Sequence, residues 1–479
     1  MEQTVIGRKY EFELLERSMQ SAESELVIIY GRRRVGKTFL VNSFFGNRYA
    51  FKLTGVYKQP AGVQLGRFAA ALEDYTGDHI DTPADWFKAF DILKKHLKSM
   101  TTDGKKVVFI DEMPWLDTPD SDFVPAFEAF WNGWAAAEGG ILLIVCGSAT
   151  SWITNKLLGD KGGLFNRCSY RMFIKPFTLN ETEQYLVSRG FEWTRYDIAE
   201  CYMIMGGIPY YLKQLNPHWS YMQNIDNIFF KEKGLLWDEF DHLYSTLFNQ
   251  VDNHIAVVEA LSKKKIGLTR NEIIKETKLN DNGNLSKILK NLTDNGFIRA
   301  YNYFGSKKRD ITYQLSDFYS MFYFSYLKDN YGHEPHFWSN SIDLPSRRAW
   351  AGYTFEQLCL CHIEQIRKSI GVSGVQCDVS SWFSREKTEE DAAGRGAQID
   401  LLIDRRDRVI SICEMKFSIN EYTIDKDFDE ILRNKIDAFR RETKTRKAIQ
   451  TVIVTTYGLK KNMYANRVQS VVTLDDLFE

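Results

Sequence analysis

Short apolar runs bounded by polar or glycine-bearing turns dominate the first third of the chain. "ELVIIYG", "KKVVFIDE" and "ILLIVCGSA" each read as a buried parallel strand. Between them the pattern turns helical, first at Gly36. Strands that alternate with helices predict a three-layer α/β sheet. From Leu179 to Leu247 the period is helical, broken by "GGIPYYL". Residues near 250 to 318 read as three helices, "NHIAVVEALS", "TRNEIIKETK" and "NGNLSKILKNLTDNGFI", then a hairpin of "IRAYNY" and "DITYQLS". That order is the layout of a winged helix. An aromatic segment leads to a last region of helix, hairpin, basic helix and two strands, "AIQTVIVTT" and "SVVTL". The expected domains are an α/β core at 1–178, a helical lid at 179–247, a winged helix at 248–330 and a second α/β domain at 345–479.

Composition changes this picture little. The chain has 479 residues, more than one core accommodates, with 44% hydrophobic and 26% charged residues. The formal net charge of −1 leaves nucleic-acid affinity to local patches. Seven scattered cysteines with no C-x-x-C spacing fit a reducing compartment without structural zinc. The C-L-C-H run at Cys359 to His362 reads as helix packing rather than a metal site. There is no charged-then-apolar leader pattern, and no apolar stretch approaches a membrane span. The expectation is a cytoplasmic protein with no membrane partner.

The candidate chemistry begins at "YGRRRVGKTFL", where Gly31, Gly36, Lys37 and Thr38 keep the G-x-x-x-x-G-K-T spacing between a strand and a helix. The segment from Gly31 through Arg32, Arg33, Arg34, Val35 and Gly36 to Lys37, Thr38 and Phe39 is the expected nucleotide-binding stretch. Glycines let backbone N–H groups wrap a phosphate chain, and the helix N-terminus favours an anion. Lys37 is expected at the outer phosphates and Thr38 on Mg²⁺. "VVFIDE", expected on a neighbouring strand, supplies Asp111 for the magnesium and Glu112 to orient the attacking water. The plainer reading of both acids is strand-end solvation. Ser148 ends the third strand, where it senses a terminal phosphate or caps the helix begun in "SATSW". Arg167 in "GGLFNRCSY" either stabilises transition-state charge or is an ordinary surface arginine.

At this point "IGRKYEFELLE", "YGRRRVGKTFL", "VVFIDEMPWL", "VCGSATSW", "LFNR", "KPFTLNETEQYL" and "GGIPYYL" together resemble the archaeal-type ATPase family of the AAA+/STAND group of P-loop NTPases. The resemblance implies ATP as the nucleotide. It places Gly7, Arg8 and Glu11 near the base, and brings Gly207 and Pro209 of a helical lid toward the nucleotide.

Two further regions carry charge with a pattern. Ser262 to Asp310 holds 12 Lys or Arg against 5 Asp or Glu, including Lys307, Lys308 and Arg309 at the expected wing tip. Such a helix-and-wing unit contacts DNA, or packs as a lid on the ATPase. In "IDLLIDRRDRVISICEMKFS" the turn centres on Asp407, so Asp400 and Glu414 face each other across the hairpin and Lys416 shares the face of Glu414. Paired carboxylates call for a divalent cation, and Mg²⁺ suits their oxygens. This D-x13-E-x-K pattern resembles the PD-(D/E)XK nuclease fold, which implies a further acid on an upstream helix, here Glu356. Asp400 and Glu414 would be its metal ligands and Lys416 its catalytic lysine. The alternative is a structural ion-pair cluster in an inactive relative. The basic run "RNKIDAFRRETKTRK" is expected to track a phosphate backbone. Ser384 to Ala397 is expected to be a solvated loop. The favoured expectation is an ATPase that binds and cleaves DNA. The alternative is a nucleotide-controlled switch that only binds DNA or a protein partner, with homo-oligomerisation left open.

Overall fold

The structure is a computed structural model that describes all residues except 1–4, 47, 160–162, 165, 249, 307–309, 330–333 and 385–396. Lys307, Lys308 and Arg309, and most of the Ser384–Ala397 loop, therefore lie outside the described residues. The chain divides into two compact units, Met1–Pro176 and Phe177–Glu479.

The first unit is a parallel sheet flanked by helices. Its strands are β1 (Glu25–Tyr30), β2 (Phe51–Thr54), β3 (Lys106–Asp111), β4 (Ile141–Gly147) and β5 (Tyr170–Phe173), in the order β2-β3-β4-β1-β5. Sequence reasoning put the acid-bearing strand beside β1. The structure corrects this: β4 lies between them, paired with both. The reason is in the residues of β4. All seven are buried, which suits the centre of a sheet covered on both faces. On one face Phe68, Trp86, Phe90, Phe123 and Phe127 join one hydrophobic cluster with Leu26, Ile28, Val108 and Val145.

The second unit opens with a capping box, in which Thr178 and Glu181 satisfy each other's backbone and start the helix Leu179–Ser188. Further along, the helices Val251–Ser262, Arg270–Thr277 and Gly283–Asp294 accompany a three-stranded sheet, whose short first strand falls between the first two helices. Its strands are β6 (Leu268–Thr269), β7 (Ile298–Asn302) and β8 (Ile311–Leu315), in the order β6-β8-β7. Thr269 and Asn282 cap the second and third helices through their side-chain oxygens. The aromatic segment after β8 packs Phe322, Tyr326, Trp338 and Trp350 edge to face, with the Arg347 guanidinium 3.8 Å from the Trp338 ring centre.

The last strands are β9 (Cys377–Phe383), β10 (Gln398–Arg405), β11 (Val409–Lys416), β12 (Ala448–Thr455) and β13 (Ser470–Thr473). They form a mixed sheet ordered β13-β12-β11-β10-β9, with an antiparallel β10–β11 hairpin and a parallel β11–β12–β13 half. The helix Lys426–Thr443 covers one face through Phe428, Leu432 and Phe439. In the C-L-C-H run Cys359 is buried and Cys361 exposed. His362 Nε2 accepts from the Leu179 N–H at 3.0 Å, so its proton sits on Nδ1 and is donated to the Leu358 carbonyl. Burial lowers its pKa and keeps it neutral.

Candidate functional sites

The first unit gathers its polar residues where β1, β3 and β4 end. Gly31 leaves β1 at φ 142°, and an added Cβ there would strike the Ile174 carbonyl, so only glycine fits. Arg34 and Gly36 also take positive φ. Gly36 begins the helix Lys37–Phe45, and no side chain caps it, which leaves the first-turn N–H groups open to an anion. Lys37 is buried, and its ammonium donates to the Gly31 and Arg32 carbonyls at 3.0 and 2.9 Å. Arg8 is also buried and donates to the Val35 and Lys175 carbonyls, so it braces the loop's backbone. Arg32 and Val35 are buried, Arg33 and Arg34 half-buried, and Phe39 exposed.

Thr38 Oγ1 donates to Asp111 Oδ2 at 2.9 Å, although β3 is not the neighbour of β1. Glu112, at φ 44°, turns back so that its Oε2 accepts from both the N–H and the hydroxyl of Ser148, at 3.1 and 2.9 Å. The next helix begins at Thr150 after Ala149 and has no side-chain cap, so Ser148 is a partner of Glu112 and not a helix cap. Arg167 is exposed on the stretch leading into β5. In the second unit Gly207 takes φ 65° against the Phe177 carbonyl, and Pro209 opens the short helix Pro209–Lys213.

The second centre lies on the β10–β11 hairpin. The ladder pairs Leu401 with Cys413 and Asp404 with Ile410, so one step outward Asp400 stands across from Glu414. The pairing of β10 with β9 shifts register between Ile399 and Leu402, an irregularity that takes in Asp400 and Leu401. Glu356 sits on the helix Pro345–Cys361, which packs on β11. Burial first, then Asp400 and Glu414, push its carboxyl up to about 8. Asp400 is raised by burial and by Glu414, while the amide of Gln398 donates to its Oδ1. Glu414 is different. Burial pushes it up, but Lys435 and Lys416 outweigh burial and bring it below its usual value. Lys416 Nζ meets Oε1 at 3.0 Å and Lys435 Nζ meets Oε2 at 2.9 Å.

Lys435 and Gln398 were missed by sequence reasoning. The helix carrying Lys435 was expected to hold DNA with a basic face, but this lysine points inward. Its spacing gave a signal, since positions 428, 432, 435 and 439 form one stripe whose other members are Phe428, Leu432 and Phe439. The magnesium expected between Asp400 and Glu414 does not fit the centre as built. Both Glu414 oxygens are taken by lysines, and among the described residues no group of three His, Cys, Asp or Glu is arranged to hold a metal ion. The Thr38 hydroxyl and Asp111 carboxylate, by contrast, are the oxygen donors Mg²⁺ prefers.

The charge excess of the helix-and-hairpin region is partly spent within the fold. Lys263, Lys264, Arg270 and Lys290 are ion-paired, and Arg299 is half-buried and held between two glutamine side chains. Lys275, Lys278 and Lys287 remain exposed.

Residues 6–215 match the family model described as an ATPase domain predominantly from Archaea. This part of the chain is thus similar to that ATPase family, and the match runs on past the first unit. An uncharacterized protein of Methanocaldococcus jannaschii is 24% identical over 439 residues, covering 90% of each chain. An uncharacterized ATP-binding protein of the same organism is 49% identical over 43 residues, 9% of this chain and 73% of that one. Among solved structures, the Walker-type ATPase of Pyrococcus abyssi has a TM-score of 0.45 at 15% identity, covering 67% of this chain and 96% of that one. The ORC2 protein of Aeropyrum pernix has a TM-score of 0.41 at 13% identity, over 74% and 95%. No helix among the described residues is long and apolar enough to cross a membrane.

Proposed function

We propose that this protein binds and hydrolyses ATP in its first unit and uses the cycle to control a nucleic-acid-binding second unit. The observation that carries the reading is the convergence of Lys37, Thr38, Asp111, Glu112 and Ser148 at one edge of the parallel sheet. Among the described residues Lys37 is held by two neutral carbonyls, so phosphate oxygens would replace them with a gain in charge pairing. Bound Mg²⁺ would be held by Thr38 and Asp111 and would neutralise phosphate charge. With one carboxylate oxygen held by Ser148, Glu112 would use the other to orient an attacking water. Arg8 keeps the loop in shape from behind. Pro209 and Arg167 are proposed to close on the nucleotide during the cycle. Release of inorganic phosphate by purified protein, lost in Lys37→Ala, tests this; equal release by both would sink it.

In the second unit the helices 251–294 with their hairpin are read as a winged helix, and residues 345–479 as a PD-(D/E)XK-like domain. The favoured role is binding of DNA, with the carboxylate–lysine centre at rest. A second reading is cleavage of DNA, favoured by the convergence of Glu356, Asp400, Glu414 and Lys416, the set such nucleases use. It requires Glu414 to exchange Lys435 for a metal. Plasmid nicking in Mg²⁺ and ATP, lost in Lys416→Ala, separates the two readings.

A further inference from the structure

The carboxylate–lysine centre is only partly exposed: Glu414 is buried, and Glu356, Asp400 and Lys416 are half-buried. A cavity of about 180 Å³ lies beside it, lined on one side by Lys265, Arg299 and Tyr301 and on the other by Glu356, Ser381 and Asp400. That space is smaller than the roughly 300–1,000 Å³ of an ordinary small-molecule pocket. Water fits; a nucleic-acid strand does not.

What closes it is the helix-and-hairpin region itself. Arg299 on β7 reaches across to Gln357 Oε1 at 2.5 Å, one residue from Glu356. Lys265 donates to the Ala349 carbonyl at 3.2 Å and lies 5.1 Å from the Tyr353 ring centre, on the helix that carries Glu356. The hairpin then prolongs the last sheet. Tyr303 forms a parallel bridge with Ser381 at its edge strand β9, and the Phe304 N–H donates to the Ser381 carbonyl at 2.8 Å. Phe304 packs its ring 5.2 Å from Phe439, among the apolar residues under β10 and β11. Each of these contacts is to backbone, a neutral side chain or a ring. Such contacts are weak beside what a polyanion offers to lysine and arginine.

We propose that the helix-and-hairpin region is a built-in cap on the carboxylate–lysine centre, latched at Tyr303 and Phe304, and that nucleic acid reaches the centre only when this latch is released and the cap swings away. This rests on the cleavage reading of that centre, and deepens it by naming its control.

The test uses the full chain with Phe304→Asp, and separately with Tyr303→Cys and Ser381→Cys together. Bridge-paired positions lie within the roughly 4.4–6.8 Å that a disulfide spans between Cα atoms. Hydrogen exchange is read over residues 298–306 and 377–383, and nicking of supercoiled plasmid with Mg²⁺ alongside. The expected result is exchange at least tenfold faster in F304D, with nicking raised over wild type. Oxidation of the cysteine pair should remove nicking, and reductant should restore it. Unchanged exchange in a folded F304D overturns the cap, as does equal and measurable nicking by wild type, F304D and the oxidised pair. If F304D does not fold, the oxidised and reduced forms of the pair decide alone. Faster exchange with every form inert on DNA keeps the cap and removes the cleavage reading.

Discussion

The two polar centres differ in what their lysines hold. Lys37 leans on two backbone carbonyls, which carry no net charge. Lys416 and Lys435 lean on one carboxylate, which returns a full charge at close range. The first arrangement gains when an anion arrives. The second is satisfied before any ligand comes, and a ligand must displace something to enter. The first centre thus gains charge pairing when an anion arrives, and the second is already satisfied by its own ion pairs.

The sharpest way to break this contrast is Lys37→Ala, which should lower phosphate release by about 10²–10³-fold with little change in thermal midpoint. A large drop in midpoint instead would make Lys37 a structural lysine like Lys435. Next, Glu112→Gln should slow hydrolysis about 10²-fold while ATP stays bound, read by filter retention of labelled nucleotide. In the second centre the loss should appear as stability. Glu414→Gln strands Lys435 beside a neutral amide and should cost about 3 kcal/mol in urea unfolding. A cost near zero would show that the ion cluster is solvated.

The pH response sharpens the comparison further. Glu356 is raised in the folded protein to about 8, so the native state holds its proton after the unfolded chain has released it. Stability from this group is therefore full below the ordinary glutamate value, about 4.3, and falls as pH rises toward 8. Glu356→Gln, which cannot ionise, should flatten that fall between about pH 5 and 8; an unchanged slope would mean Glu356 ionises freely. Ser148→Ala should have the smallest effect, roughly a threefold loss of turnover with unchanged KM, because the Ser148 N–H still holds Glu112.

The first centre was legible because its chemistry is local. Gly31 to Thr38 is one stretch, and "VVFIDE" announces its acids at a strand end. The place of β4 was not legible, since three apolar runs say nothing of their lateral order. The facing of Asp400 and Glu414 could be counted because a hairpin fixes register through its own turn. Lys435 could not be seen this way. It comes from a helix beyond the hairpin, and its inward aim depends on Phe428, Leu432 and Phe439 docking on the sheet. Arg299 was read as part of a DNA-facing excess. The burial that pulls its guanidinium below the ordinary value comes from packing between sequence-distant elements.

The bridge from Tyr303 to Ser381 also carries a consequence for biosynthesis. The ribosome releases the hairpin well before β9 exists, so Phe304 emerges with no surface to rest on. Its ring is uncovered until the last hundred or so residues have been made and folded, since domains form in the order of translation. A chaperone that favours exposed aromatics would meet the nascent chain at this point, and truncation after the hairpin would leave that site permanently open.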